Sequence, residues 1–186
     1  MNLPEDFSFA PETTLDGILA ASGFRMRTKE LEENESWRQL IPYQVVFNEA
    51  GQLFFYRRRS DHAENRLAAL YSLGIGGHLE EDDFFEPAIG LKSLYAGISR
   101  GMRRELEEEI KIGNVSFSRF VGFIQSHNPP VDRVHLGLVY AIRISGFSGL
   151  GEEIAEGAFE DPEEISRFVN KMENWSRLLC PHLDRI

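Results

Sequence analysis

Glu105, Glu108 and Glu109 stand at i, i+3 and i+4 in the run Gly-Met-Arg-Arg-Glu-Leu-Glu-Glu-Glu-Ile-Lys-Ile-Gly, residues 101–113. On a helix this spacing gathers three carboxylates on one patch beside Arg104. Met102, Leu106 and Ile110 recur every four residues and supply the apolar stripe such a helix needs, so a single helix is expected over 101–113. Like charges at i, i+4 weaken a helix unless something offsets them. A hard divalent cation does so, because Mg²⁺ takes carboxylate oxygens while keeping coordinated water or substrate phosphate. A solvated acidic face is the competing reading of the same residues.

The stretch Ser72-Leu73-Gly74-Ile75-Gly76-Gly77-His78-Leu79-Glu80 reads as a short strand running into a double glycine. Glycine there permits close approach of backbone to a ligand, or a positive φ at the strand exit. Taken with Arg104-Glu105-Leu106-Glu107-Glu108-Glu109, it resembles the signature of the MutT/Nudix hydrolases. That signature runs Gly, five residues, Glu, seven residues, then Arg-Glu-apolar-x-Glu-Glu-x-Gly-apolar. Gly77 fits the leading glycine, and Arg104, Glu105, Leu106, Glu108, Glu109 and Ile112 fall in place. About thirteen extra residues separate Gly77 from Arg104. Counted forward from Gly77 the first Glu slot holds Asp83, and counted back from Arg104 it holds Ala96. Lys111 occupies the later glycine slot, with Gly113 the nearest helix stop.

The elements that must position these residues follow from the rest of the chain. At 186 residues with 42% apolar content, one domain with some elaboration is expected. Residues 1–42 read as an amino-terminal appendage and 43–186 as the main domain. In the appendage, Thr13 or Thr14 would cap a short helix carrying Leu15, Ile18 and Leu19 that Gly23 ends. Its expected role is to cover an edge of the core, with a homodimer contact or a pocket wall as alternatives. Tyr43–Phe47 and Gln52–Arg57 read as a hairpin, Val115–Gln125 and Val134–Ile144 as further strands. A last helix from Asp161 or Pro162 carries Ile165, Phe168, Val169, Met172, Trp175 and Leu179 near helical spacing. This order predicts an α/β sandwich with a mixed sheet, which the resemblance, covering roughly 43–179, also implies as the Nudix-type α/β/α fold.

Composition narrows the partners. A net charge of −10 with no basic stripe argues against a nucleic-acid polymer but allows a small phosphorylated substrate reached through cations. Cys180 is alone, which excludes an intramolecular disulfide and a cysteine-rich zinc site. No apolar run approaches a membrane span and the amino terminus lacks signal-peptide features, so a cytoplasmic protein is expected.

The resemblance implies hydrolysis of a diphosphate linkage in a nucleoside diphosphate derivative or related metabolite. Glu105, Glu108 and Glu109 would hold Mg²⁺, with Mn²⁺ as an alternative and a carbonyl of Gly76 or Gly77 completing the shell. Arg104 would fix Glu105 through a charge-assisted hydrogen bond. Glu105 or Glu153 would take the proton from water; Glu153 is chosen over Glu152 and Glu156 by its spacing ahead of Phe159. Gly76 and His78 would flank the substrate. Among Arg57, Arg58 and Arg59, Arg58 would meet phosphate unless it pairs with a nearby carboxylate. In the insert after the double glycine, Phe84 and Phe85 would stack on an apolar group or plug the core, and Asp82 and Asp83 would add carboxylates to the metal set. Neither His78 nor His135 has a His or Cys at zinc spacing, and His78 is the better candidate because the resemblance puts it in the loop that flanks the substrate. Two rivals remain at this level: a non-catalytic nucleotide-sensing module on the same fold, and isopentenyl-diphosphate isomerisation, which the distant placement of Cys180 disfavours.

Overall fold

Alternation along the strands sorts the apolar residues onto two faces, and those faces build the molecule. In strand β2 (Gln39–Phe47), Ile41, Tyr43 and Val45 point to one side while Leu40 and Val46 point to the other. The computed structural model describes residues 6–59, 70–84 and 90–186. In chain order the described elements are β1 (Asp6–Phe9), α1 (Glu12–Ala20), α2 (Lys29–Glu33), β2, β3 (Leu53–Arg58), β4 (Tyr71–Ser72), β5 (Gly74–Gly76), α3 (Leu91–Glu109), β6 (Ile110–Lys111), β7 (Asn114–Gln125), β8 (His135–Ser145), β9 (Gly149–Leu150), β10 (Ile154–Glu160), α4 (Pro162–Ser166) and α5 (Asn174–Leu179).

Eight strands form one mixed sheet in the order β1-β7-β8-β2-β3-β10, with β5 on β2 and β4 on β3; β2 and β8 run parallel and the other pairs antiparallel. The face carrying Val46, Phe54, Tyr56, Leu138 and Ile142 packs against α1 and α3 through Leu15, Leu19, Ile98, Met102 and Leu106. The opposite face, with Val45, Phe55 and Val139, packs against Ile165, Trp175 and Leu179 of α4 and α5. The expected α/β sandwich with a mixed sheet is therefore present. Part of segment 1–42 extends the sheet: β1 pairs with the end of β7, and Leu15 and Leu19 are wholly buried.

Several element expectations are corrected. The acidic helix begins ten residues earlier than predicted, at Leu91, and stops at Glu109 rather than Gly113. Leu94 and Ile98 continue the four-residue stripe of Met102 and Leu106, so most of the extra length after the double glycine lengthens α3. At the other end, Ile110 turns extended and pairs with Leu150 in a separate two-stranded sheet. The β2–β3 hairpin pairs at Phe47 and Leu53, and beyond that point residues 71–76 lie between its arms, Ser72 against Tyr56 and Gly74 against Val45. The last helix is not continuous. Glu173 starts a new one by accepting the Trp175 and Ser176 N–H groups, and its carboxylate also accepts the Tyr43 hydroxyl at 2.7 Å. That contact ties the carboxy-terminal layer to β5, because the Tyr43 oxygen accepts the Gly74 N–H (3.1 Å) and Ser176 Oγ accepts the Leu73 N–H (2.7 Å). The strand that delivers the double glycine is thereby fixed from one face of the sheet.

Candidate active site

Arg104 joins α3 to the loop after β5. Its Nη1 donates to Glu105 at 2.7 Å, and its Nη2 donates to the His78 carbonyl (2.9 Å) and to Asp83 Oδ2 (3.0 Å). Asp83 is 4% exposed, accepts the Glu80 N–H at 2.8 Å and caps the short 3₁₀ turn Glu81–Asp83; its carbonyl accepts Arg100 Nε at 2.6 Å. This resolves the first Glu slot in favour of Asp83, since it is Asp83 that pairs with Arg104. It also corrects the expectation that Asp83 adds to the metal set, because both its oxygens face Arg104. Asp82 is exposed. Asp83→Ala should lower stability by about 2–4 kcal/mol, less than a fully buried broken pair because Arg104 keeps some access to water. Urea denaturation beside wild type checks this, and a loss under 0.5 kcal/mol, the ordinary size of a surface change, would contradict it.

The double glycine is required for space. Neither Gly76 nor Gly77 has a positive φ, so the conformational half of the sequence argument does not apply. A Cβ on Gly77 would lie 2.1 Å from the Glu105 carboxyl, and one on Gly76 would lie 2.5 Å from the Pro42 carbonyl oxygen. Gly101 does the same for α3, where a Cβ would meet Leu79 and Asp83. Loop and helix touch through two absent side chains, at Gly77 and Gly101, while Gly76 gives the same room against β2; Glu105 is thereby set directly against the Gly77 backbone.

At the end of α3, Glu109 is 5% exposed, and its Oε1 accepts Arg58 Nη1 at 2.8 Å. Its Oε2 is buried and has no hydrogen-bond partner among the described residues. Glu108 is exposed and 3.8 Å from Arg104. Glu153 reaches the same end of the helix, 3.5 Å from Arg58, because the Gly151 N–H donates to the Glu109 carbonyl (2.7 Å) and the Arg59 N–H to the Glu153 carbonyl (2.8 Å). Glu156 is removed from competition by Arg57 (2.8 Å) and the Tyr71 hydroxyl (2.9 Å).

These carboxylates share an unfavourable environment. Burial pushes Glu105 up from the ordinary carboxyl value, Arg104 pulls it back, and Glu108 and Glu109 push it up again. Burial likewise raises Glu109, opposed by Arg58 and reinforced by Glu153 and Glu108. A cation would relieve both effects. No three His, Cys, Asp or Glu side chains among the described residues already converge on one point. The donor set nevertheless suits Mg²⁺ or Mn²⁺: it is all oxygen, one buried oxygen lacks a partner, and Glu108 and Glu153 are exposed enough to swing inward.

The substrate-side expectations divide. Arg58 is engaged by Glu109 and by the Tyr56 hydroxyl (3.0 Å), so it pairs with a carboxylate as the alternative reading held, and is not presented outward. Phe84 plugs a gap on α3, where a Cβ on Gly97 would lie 2.1 Å from its ring, and its other neighbour is Phe24. The stacking role given to Phe84 is thus corrected to a packing one. Phe85 lies outside the described residues. His78 turns its side chain to His135, with Nε2 atoms 3.2 Å apart, while His135 Nδ1 lies 2.7 Å from the Val131 carbonyl. Cys180 is buried. Tyr56 was not singled out from sequence, although its place two residues before Arg58 puts both on the α3 face of β3.

Burial, then Arg27 and His135, hold the His78 imidazole down at about 4 against an ordinary 6.5. Below pH 6.5 the unfolded chain takes a proton that the folded one refuses. This group's contribution is therefore complete above pH 6.5 and is lost as pH falls toward 4, at most about 3 kcal/mol. The stability gap between wild type and His78→Gln should shrink over that window. A gap independent of pH would show that His78 titrates normally.

No protein-family model matches the chain. Protein YmaB of Bacillus subtilis (strain 168) is 29% identical over 168 residues, spanning 86% of this chain and 77% of YmaB. Among solved structures, Tm1382, provisionally described as a Nudix hydrolase, superposes with a TM-score of 0.76 at 28% identity, over 97% of this chain and 89% of its own. DR0079 of Deinococcus radiodurans shares the fold at 18% identity, with a TM-score of 0.60 over 88% of this chain and 93% of its own. A bifunctional NMN adenylyltransferase/ADP ribose pyrophosphatase of Francisella tularensis, complexed with AMP and a manganese ion, shares it at 13% identity, with a TM-score of 0.53 over 92% of this chain and 45% of its own.

Proposed function

The chain belongs to the MutT/Nudix family, and from that premise we propose that it is a divalent-metal-dependent hydrolase of a diphosphate linkage in a nucleoside diphosphate derivative or related small metabolite. The observation that carries this reading is the contact of Glu105 with Gly77, locked by Arg104 between Asp83 and the His78 carbonyl. Glu105, Glu108 and Glu109 are the residues that would hold Mg²⁺ or Mn²⁺. The ion, when bound, supplies charge neutralisation at phosphate oxygens and a more acidic water.

The protein's own residues account for the rest. Arg104 donates to one Glu105 oxygen and leaves the carboxylate in a single orientation facing the loop. With one Glu105 oxygen held by Arg104, the other is left to take a proton from water. Water oxygen attacks one phosphorus, the bond from that phosphorus to the bridging oxygen breaks, and Glu105 takes the water proton. The other phosphoryl group departs with the bridging oxygen, so the products are two phosphate esters. Arg58 contributes to Glu109 and not to substrate.

Incubating the protein with ADP-ribose and related diphosphates, with Mg²⁺ or with EDTA, tests the reaction type by mass spectrometry of the products. Cleavage into two phosphate esters that EDTA abolishes is expected. Tight binding of one compound with no product under any metal would instead favour a sensing module.

A further inference from the structure

One buried polar group beside the carboxylate set is assigned no part in the chemistry above. Alternation along β3 places Phe54, Tyr56 and Arg58 on the α3 side of the sheet. The Tyr56 hydroxyl donates to the Gly74 carbonyl at 3.0 Å, and its oxygen accepts Arg58 Nη2, also at 3.0 Å. With its single proton given to Gly74, that hydroxyl can only accept from the guanidinium. Arg58 Nη1 in turn donates to Glu109 Oε1 at 2.8 Å. The chain of donors therefore has one direction, from Arg58 outward to both Glu109 and Tyr56, and its far end is anchored on the strand that carries Gly76 and Gly77.

We propose that Tyr56 and Arg58 form a buried positioning relay that holds one oxygen of Glu109 and leaves the other unpartnered, so that it could take a divalent cation. This rests on the reading of Glu109 as a ligand. Tyr56 is wholly buried, the Arg58 side chain is 19% exposed and that of Glu109 7%, so the three have little room to re-pair with water. Glu109 Oε1 is taken, and Oε2 is the buried oxygen without a partner among the described residues. A guanidinium beside a ligand carboxylate has two opposed effects: its charge repels the incoming cation, and its hydrogen bond fixes the carboxylate. Because the bonded oxygen is not the unpartnered one, metal binding need not displace Arg58, and the orienting effect prevails. The relay also couples the two ends of the site, since the Gly74 carbonyl belongs to the strand whose exit packs on Glu105.

The test is Mn²⁺ binding to EDTA-stripped, dialysed protein, followed by electron paramagnetic resonance without substrate. Arg58→Met should weaken Mn²⁺ binding by about 10–100-fold, the usual effect of removing a partner that orients a metal ligand. Arg58→Lys should recover part of the loss, since lysine can bond Glu109 but cannot fork to Tyr56 as well. Tyr56→Phe keeps every charge and should weaken binding by about 3–10-fold, less than Arg58→Met because Tyr56 acts on Glu109 only through Arg58. It supplies the answer even if Arg58→Met fails to fold. Unchanged or tighter Mn²⁺ binding in folded Arg58→Met, or no change in Tyr56→Phe, would overturn the relay. Failure of the parent reading looks different: wild-type Mn²⁺ binding would be absent, or indifferent to Glu108→Gln, and the relay would fall with it.

Discussion

Glu105→Gln should lower metal-dependent turnover by about 10²–10⁴-fold, the range a positioned proton acceptor contributes. The glutamine keeps the length of the side chain and an oxygen that can accept from Arg104, so the contact with Gly77 survives the change. Folding stability should hold or rise, because burial already opposes the charged form of Glu105 and the amide removes that charge. Opposite movements of activity and stability are expected of a residue whose environment serves chemistry. Steady-state kinetics beside a thermal melt reads both. Turnover within a few-fold of wild type would transfer the proton-accepting role to Glu153, and a large loss of stability would mean that the Arg104–Glu105 contact is mainly structural.

Gly77→Ala should have an effect of similar size on turnover by a steric route. The added methyl would sit 2.1 Å from the Glu105 carboxyl, well inside any tolerable contact, so loop or carboxylate must move. Forcing a methyl into a packed contact costs about 1–3 kcal/mol, and an ångström-scale displacement of a catalytic group is enough for roughly a 10²-fold loss of rate. Gly17→Ala is the matched control. Gly17 lies within α1, where an added methyl would meet nothing within 4 Å, and alanine there should stabilise by up to about 1 kcal/mol with unchanged activity. If Gly77→Ala retained full activity, the loop–helix contact would not set the position of Glu105.

The residues were legible where a local period was strong. The stripe of Met102 and Leu106 announced α3, and carrying the same spacing back to Leu94 and Ile98 would have given its longer start. The β-rich run Tyr43–Phe47 likewise marked a strand, but pairing partners are not a local property. The entry of residues 71–76 between β2 and β3 depends on contacts from Tyr43 and Tyr56 that no window of sequence contains. The break in the last helix has the same origin: the apolar spacing from Ile165 to Leu179 is helical, yet Glu173 caps a new helix and binds Tyr43, 130 residues away in sequence.

At the site, spacing identified the carboxylates and Arg104, but not what each side chain faces. Counting forward from Gly77 found Asp83, and only the fold distinguishes a partner of Arg104 from a metal ligand. Arg58 follows the same logic. A basic cluster in an acidic chain suggested phosphate, whereas β3 turns Arg58 inward onto Glu109 and leaves Arg57 to Glu156. Phe84 was drawn toward substrate by its apolar character, and the gap above Gly97 accounts for it instead.

The central claim is that the α3 carboxylates make a metal-dependent diphosphate hydrolase, and one comparison reaches it directly. Wild type and Glu108→Gln are given a panel of nucleoside diphosphate derivatives with Mg²⁺ or EDTA, and the phosphate esters released are read as free phosphate through a coupled phosphatase. Glu108 is exposed, so its substitution should leave the fold intact. The account predicts turnover of at least one compound, abolished by EDTA and lost in Glu108→Gln. Turnover that survives both EDTA and the substitution would contradict it.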